Sequence, residues 1–195
     1  MGWRSSAIVV IGLGGCAFRP DGAIDAGDVG VPIDGRGSGD DDAAEAASCP
    51  PGYVAGTAGV YRLVEGGATW DAARADCADD AAGGAFTLHT HLVVLASDAE
   101  RESIRSDFGG PRLWLGVSDR VTTFAWRWVT AEEIEAYPPG SGPPWRVGQP
   151  TNGDSGAQDC VVMEENGLWD DRPCNSDAYA YVCECDAFPE EPAHF

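Results

Sequence analysis

The 195-residue chain contains no lysine. All twelve basic residues are arginines, set against 32 aspartates and glutamates, for a net charge of −20. With no basic stripe there is nothing to displace counterions from a phosphate backbone, which excludes nucleic acid as a partner. A polybasic grip on anionic lipid is excluded on the same ground. Catalytic signatures are missing as well. There is no H-E-x-x-H helix and no G-x-S-x-G nucleophile elbow, so the chain reads as a binding protein and not an enzyme. No C-x-x-C pair is present to frame a zinc site. Nor does a D-x-D-x-D-G loop frame the triple aspartate Asp40–Asp42 for calcium. The apolar run from Ala7 to Leu13 is far short of the ~20 residues that span a bilayer. What the chain does have is 44% hydrophobic residues, seven tryptophans and seven cysteines. That is enough apolar material for a core, and the odd cysteine count leaves one thiol outside any internal pairing.

The first fifteen residues hold one positive charge, at Arg4, followed by the short apolar run, as in a secretory signal. The run ends in Leu13-Gly14-Gly15-Cys16, which resembles the bacterial lipoprotein lipobox. The resemblance implies that residues 1–15 are removed and that Cys16 carries lipid. Ala17 after it implies sorting to the outer membrane or cell surface. Residues 16–48 are rich in Gly, Asp and Ala and cannot bury enough surface to offset their ordering entropy, so they read as a solvated acidic tether. Contact with membrane is then expected only through the lipid.

Residues 49–187 read as one domain, and 188–195 as a polar tail in which His194 has no role. The six remaining cysteines are an even set behind an export signal, which points to a disulfide framework. Val60–Val64, Leu113–Val117, Phe124–Val129, Cys160–Met163 and Tyr179–Cys185 read as strands. Residues 68–81 read as a helix capped by Thr69, with Trp70, Ala73 and Cys77 on one face. Ser97-Asp98-Ala99-Glu100 is a capping-box pattern opening a second helix that continues through Ile104 to Phe108. Helices first and strands later give an α+β class. Residues 130–158 are Pro- and Gly-rich, a connection long enough to expect a function. His89-x-His91 would share a face if extended, as metal ligands do, but a surface loop before Leu92 is the plainer account.

Several ordered stretches resemble the C-type lectin-like domain. They are Cys49-Pro50-Pro51-Gly52-Tyr53, Thr69-Trp70-Asp71-Ala72-Ala73-Arg74 with Cys77, and Leu92–Ser97 with Glu100. Leu113-Trp114-Leu115-Gly116-Val117, Gly148-Gln149-Pro150, Gln158-Asp159-Cys160-Val161, Gly167–Asp171 and Tyr181–Glu184 complete them. The resemblance implies two helices, small antiparallel sheets, a long loop region and the bridges Cys77–Cys183 and Cys160–Cys174. Val60 stands where the long form of the family has its second hairpin cysteine. Cys49 and Cys185 remain, on first and last strands that lie side by side in this fold, so they are expected to pair.

In sugar-binding members one Ca²⁺ is held by oxygens around a cis proline, and two vicinal sugar hydroxyls complete its coordination. Carried over to this chain, the ligand positions are Gln149, Thr151 or Asn152, Gln158, Asp170 and Asp171, with Gln149, Thr151, Gln158 and Asp170 also facing the sugar. Gln149 matches the galactose-type motif. Thr151 and Gln158 depart from it by replacing stronger oxygen ligands. Asp154 or Asp159 could add charge, Asp159 more plausibly at an auxiliary calcium position. Trp145 could stack on a sugar ring, but family comparison favours packing beneath the loop. The expectation is a surface-anchored, calcium-dependent carbohydrate-binding protein, with a glycoconjugate as partner. The alternative is a calcium-independent protein–protein module, the two aspartates merely capping a turn.

Overall fold

The computed structural model describes residues 48–130, 132, 134, 142–153 and 156–195. Cys16, the lipobox and nearly all of the tether lie outside these residues, as does Asp154. Among these residues eight strands and two α-helices are formed: β1 (Val54–Ala55), β2 (Val60–Ala68), α1 (Trp70–Asp79), β3 (His89–Leu92), α2 (Asp98–Phe108), β4 (Leu113–Ser118), β5 (Arg127–Trp128), β6 (Cys160–Met163), β7 (Trp169–Arg172) and β8 (Tyr179–Asp186). Among the described residues no helix is long and apolar enough to cross a membrane.

Each helix begins where a hydroxyl satisfies amides that would otherwise lack partners. Thr69 Oγ1 accepts from Ala72 N at 3.3 Å, and Ser97 Oγ accepts from Glu100 N at 3.1 Å. The returning Glu100 carboxylate reaches Ala96 N, one residue before the cap. Trp70, Ala73 and Cys77 form the buried face of α1. The Trp70 indole donates to Leu115 O and the Trp114 indole to Ala68 O, both at 2.8 Å. These bonds let two large rings be fully buried without an orphaned N–H.

The strands run in the order β1-β2-β8-β4-β6-β7, with β3 paired to β8 and β5 to β4. The expected small antiparallel sheets are therefore joined into one mixed sheet. The link is a parallel pairing of β4 and β8 at Leu113↔Ala180 and Trp114↔Tyr181. A close approach occurs at Gly116, whose amide donates to Val93 O and whose carbonyl accepts from Val129 N. A Cβ there would collide with Leu92 O and press on Val129. Three disulfides tie the frame: Cys49–Cys185, Cys77–Cys183 and Cys160–Cys174. On typical values each contributes about 2–4 kcal/mol by restricting the unfolded chain.

Three sequence expectations give way here. Phe124–Val129 is strand only at Arg127–Trp128, because the chain curls just before it. Thr122 N donates to Asp119 O, Ala125 N to Thr122 O, and Phe124 N to the Asp119 carboxylate. His89-x-His91 is not a loop but the start of β3, with His91 fully buried. Residues 188–195 are not a detached polar tail. Glu191 N donates to Val129 O, Glu190 pairs with Arg74, and His194 Nδ1 lies 2.8 Å from Thr130 O. The Phe195 ring meets Trp70 edge-on and lies under the Arg74 guanidinium. Sequence reading missed this because the apolar contact rests on one terminal residue.

Candidate functional site

The positions singled out in the long loop and on β7 come together around Asp171. Strand β7 pairs with β6 through Val162↔Asp170 and Val161↔Asp171, so both aspartates stand on a strand, fully buried. The Gln149–Pro150 peptide is cis. Beyond it the loop folds back: Thr151 N and Asn152 N donate to Asp171 Oδ2 at 3.0 and 2.5 Å. Asn152 takes a left-handed backbone conformation, φ 60°, and its Oδ1 accepts from Gln158 N at 2.9 Å. Thr151 Oγ1 donates to Gln158 Oε1 at 3.3 Å. Thr151, Asn152, Gln158 and Asp171 thus form one hydrogen-bonded unit.

Two oxygens of this unit and its flank stand out. Gln149 Oε1 and Asp171 Oδ1 are buried with no hydrogen-bond partner. Leaving a buried acceptor unsatisfied costs about 1–3 kcal/mol, so each such atom calls for a reason. Amide and carboxylate oxygens are the ligand type that a hard cation prefers.

Asp170 is placed differently. Its Oδ1 accepts from Arg146 at 3.1 Å and its Oδ2 from Arg172 at 2.5 Å. Both carboxylate oxygens are therefore engaged by guanidinium groups. Asp170 fits a cation only if Arg146, whose side chain is 46% exposed, releases it.

Sequence reasoning did not find Asp119. It follows directly on β4, is 1% exposed, and its Oδ1 is a third buried oxygen without a partner. Burial pushes its carboxyl above the usual range. The Phe124 amide opposes that shift, and the charges of Asp159 and Asp171 add to it. Its signal in the sequence was a carboxylate directly after the mostly apolar core strand Leu113–Ser118. Arg146 and Arg172 were also missed. Each adjoins a residue that was singled out, Trp145 and Asp171.

Behind the site stands a wall of indoles. Ring centroids are 5.1 Å apart for Trp126 and Trp145, 5.8 Å for Trp145 and Trp169, and 5.5 Å for Trp128 and Trp169. Trp145 packs beneath the loop through these contacts, and Trp145 N donates to Pro143 O. It is partly buried and packs against the core through these rings.

The family described as Lectin C-type domain matches residues 67–185. The chain is 29% identical over 138 residues to C-type lectin domain family 17, member A from Homo sapiens, a match covering 70% of this chain and 32% of that protein. It spans roughly a third to a half of the length of several curated relatives and only 3–4% of the versican core proteins. Among solved structures, the C-type lectin domain of murine dendritic cell inhibitory receptor 2, in complex with N-glycan, is 26% identical with a TM-score of 0.52. That likeness covers 71% of this chain and 99% of that one. A calcium-independent type II antifreeze protein shares the fold at 24% identity and a TM-score of 0.56, over 72% of this chain and 95% of that one. The matched segment runs from the end of β2 to Cys185, takes in both helices and all of the candidate site, and places the chain in the C-type lectin domain family.

Proposed function

We propose that the domain binds carbohydrate through a calcium ion held by Gln149, Asp171 and the Thr151–Gln158 pair. In this reading it is presented at the cell surface by a lipid on Cys16 and the acidic tether of residues 16–48. The observation that carries the proposal is the pair of buried, unpartnered oxygens Gln149 Oε1 and Asp171 Oδ1. Family membership supplies the ligand class, since the domain type is one that binds sugars in general. A bound calcium would coordinate vicinal hydroxyls of the sugar. This chain's own residues orient that ion: Asp171 fixes the loop by accepting two of its amides, and Gln149 presents the amide oxygen that leans toward a galactose-type ligand. The site brings few formal charges, so affinity falls in the range of ~10⁻⁴–10⁻³ M typical of extracellular calcium modules.

One observation favours the second reading, a calcium-independent protein–protein module. Asp170 is already neutralised by Arg146 and Arg172. A thermal melt separates the two readings. With millimolar calcium against EDTA, the first predicts a rise in Tm, and Asp171→Ala removes that rise together with retention on a galactose column. An unchanged Tm supports the second.

A further inference from the structure

A second constellation lies on β3 and β8 and shares no residue with the loop site. Register sets His91 opposite Glu184, and His89 opposite Asp186. Side chains alternate along a strand, so Glu184 and Asp186 share one face of β8 while Cys183 and Cys185 turn to the other. Those two sulfurs are held in disulfides with Cys77 and Cys49 and are no longer ligands. One ligand atom each from His91, Glu184 and Asp186 lies within 4.8 Å of the others, and among the described residues no other such group of three converges this closely.

The histidine is already oriented as a ligand. Its Nδ1 lies 3.1 Å from Leu92 O, which can only accept, so Nδ1 carries the proton. That leaves the Nε2 lone pair directed at Asp186 Oδ1, also 3.1 Å away. Two acceptors facing each other require either a second proton or a cation between them. A backbone carbonyl fixing the far nitrogen is also the usual support for a metal-bound imidazole.

The charge around the site leaves room for a cation. Glu184 is 7% exposed and accepts from Val94 N at 3.1 Å. Arg62 on β2 is engaged by Asp76 and Asp80, and Arg74 on α1 by Glu190. The site opens to solvent on one side, through an Asp186 side chain that is 27% exposed. That gives an entry path and room for water in a remaining coordination position.

We propose that His91 Nε2, Glu184 and Asp186 form a site for a divalent transition-metal ion of the zinc class, clamping β3 to β8. One nitrogen and two carboxylates suit zinc and its first-row neighbours. Calcium, which takes six to eight oxygens, is poorly served by them. The test uses the full chain, stripped with chelator, dialysed and titrated with zinc chloride by calorimetry and thermal melt. One zinc binds per chain and raises Tm. Asp186→Asn weakens binding by more than about tenfold, while His89→Gln and Asp171→Asn leave it unchanged. Asp186→Asn is the decisive variant because Asp186 is partly exposed and an amide oxygen can still accept from Phe188 N. His91→Gln, assayed for folding first, abolishes the binding. Absence of one-to-one zinc binding to the folded chain, or binding unaltered by Asp186→Asn, overturns the proposal.

Discussion

Asp171 and Asp170 are neighbours in sequence with opposite situations. The first spends one oxygen on two loop amides and leaves the other buried without a partner. The second has both oxygens on arginines. The calcium binding proposed for this loop would therefore compete with the Arg146–Asp170 pair. That pair is half-exposed at the arginine and buried at the carboxylate, and solvent at the arginine end keeps its contribution near about 1 kcal/mol. Replacing Arg146 with Gln frees Asp170 Oδ1 and removes a positive charge from the cation's approach. Calorimetry should show calcium affinity rising by up to about fivefold, while Tm in EDTA falls because a buried carboxylate oxygen loses its partner. Unchanged calcium affinity in this variant would mean that Asp170 takes no part.

At the scale of elements, the site depends on how tightly the strands beneath it pack. Gly116 lets β4 approach Leu92 O and Val129 more closely than any side chain allows. Gly116→Ala should lower stability by about 1–3 kcal/mol, the usual cost of overpacking, read as a lower denaturant midpoint. The α1 helix is held to β2 and β8 through Asp76, which accepts from Arg62 at 2.7 Å and from Tyr181 at 2.9 Å. Burial alone would push its carboxyl up, but those two bonds and the Arg62 charge outweigh it and hold it below its ordinary value. A carboxyl depressed in the folded state stabilises at pH above its unfolded value and loses that contribution as pH falls through the folded one. Asp76→Asn should therefore cost up to about 1 kcal/mol near neutrality, screened by solvent. The penalty should shrink toward zero below pH ~4. A cost that stays constant across that range would show that packing, and not charge, is what Asp76 supplies.

For the whole molecule, much of the fold was legible because its signals are local or come in ordered sets. Thr69 and Ser97 announce the two helix starts by their own hydroxyls. Leu113–Val117 reads as core by its unbroken apolar run, and the cysteine pairs written from resemblance are those the structure joins. The site was legible only as positions. That Thr151, Asn152, Gln158 and Asp171 share one network follows from a loop closing on β7, which no spacing reveals. Arg146 reaches Asp170 across 24 residues of chain, and Asp119 meets the site from the far end of β4. The docking of Phe195 on Trp70 and the burial of His91 are likewise settled by tertiary contacts alone.

The central proposal is that these loop oxygens hold calcium and through it a sugar. A glycan array probed with the full chain, in millimolar calcium and again in EDTA, tests it most directly. The expected result is binding to a subset of glycans, with terminal galactose among them, that disappears in EDTA and in Asp171→Ala. Glycan binding that persists in EDTA, or no glycan bound in calcium by a folded chain, would contradict it.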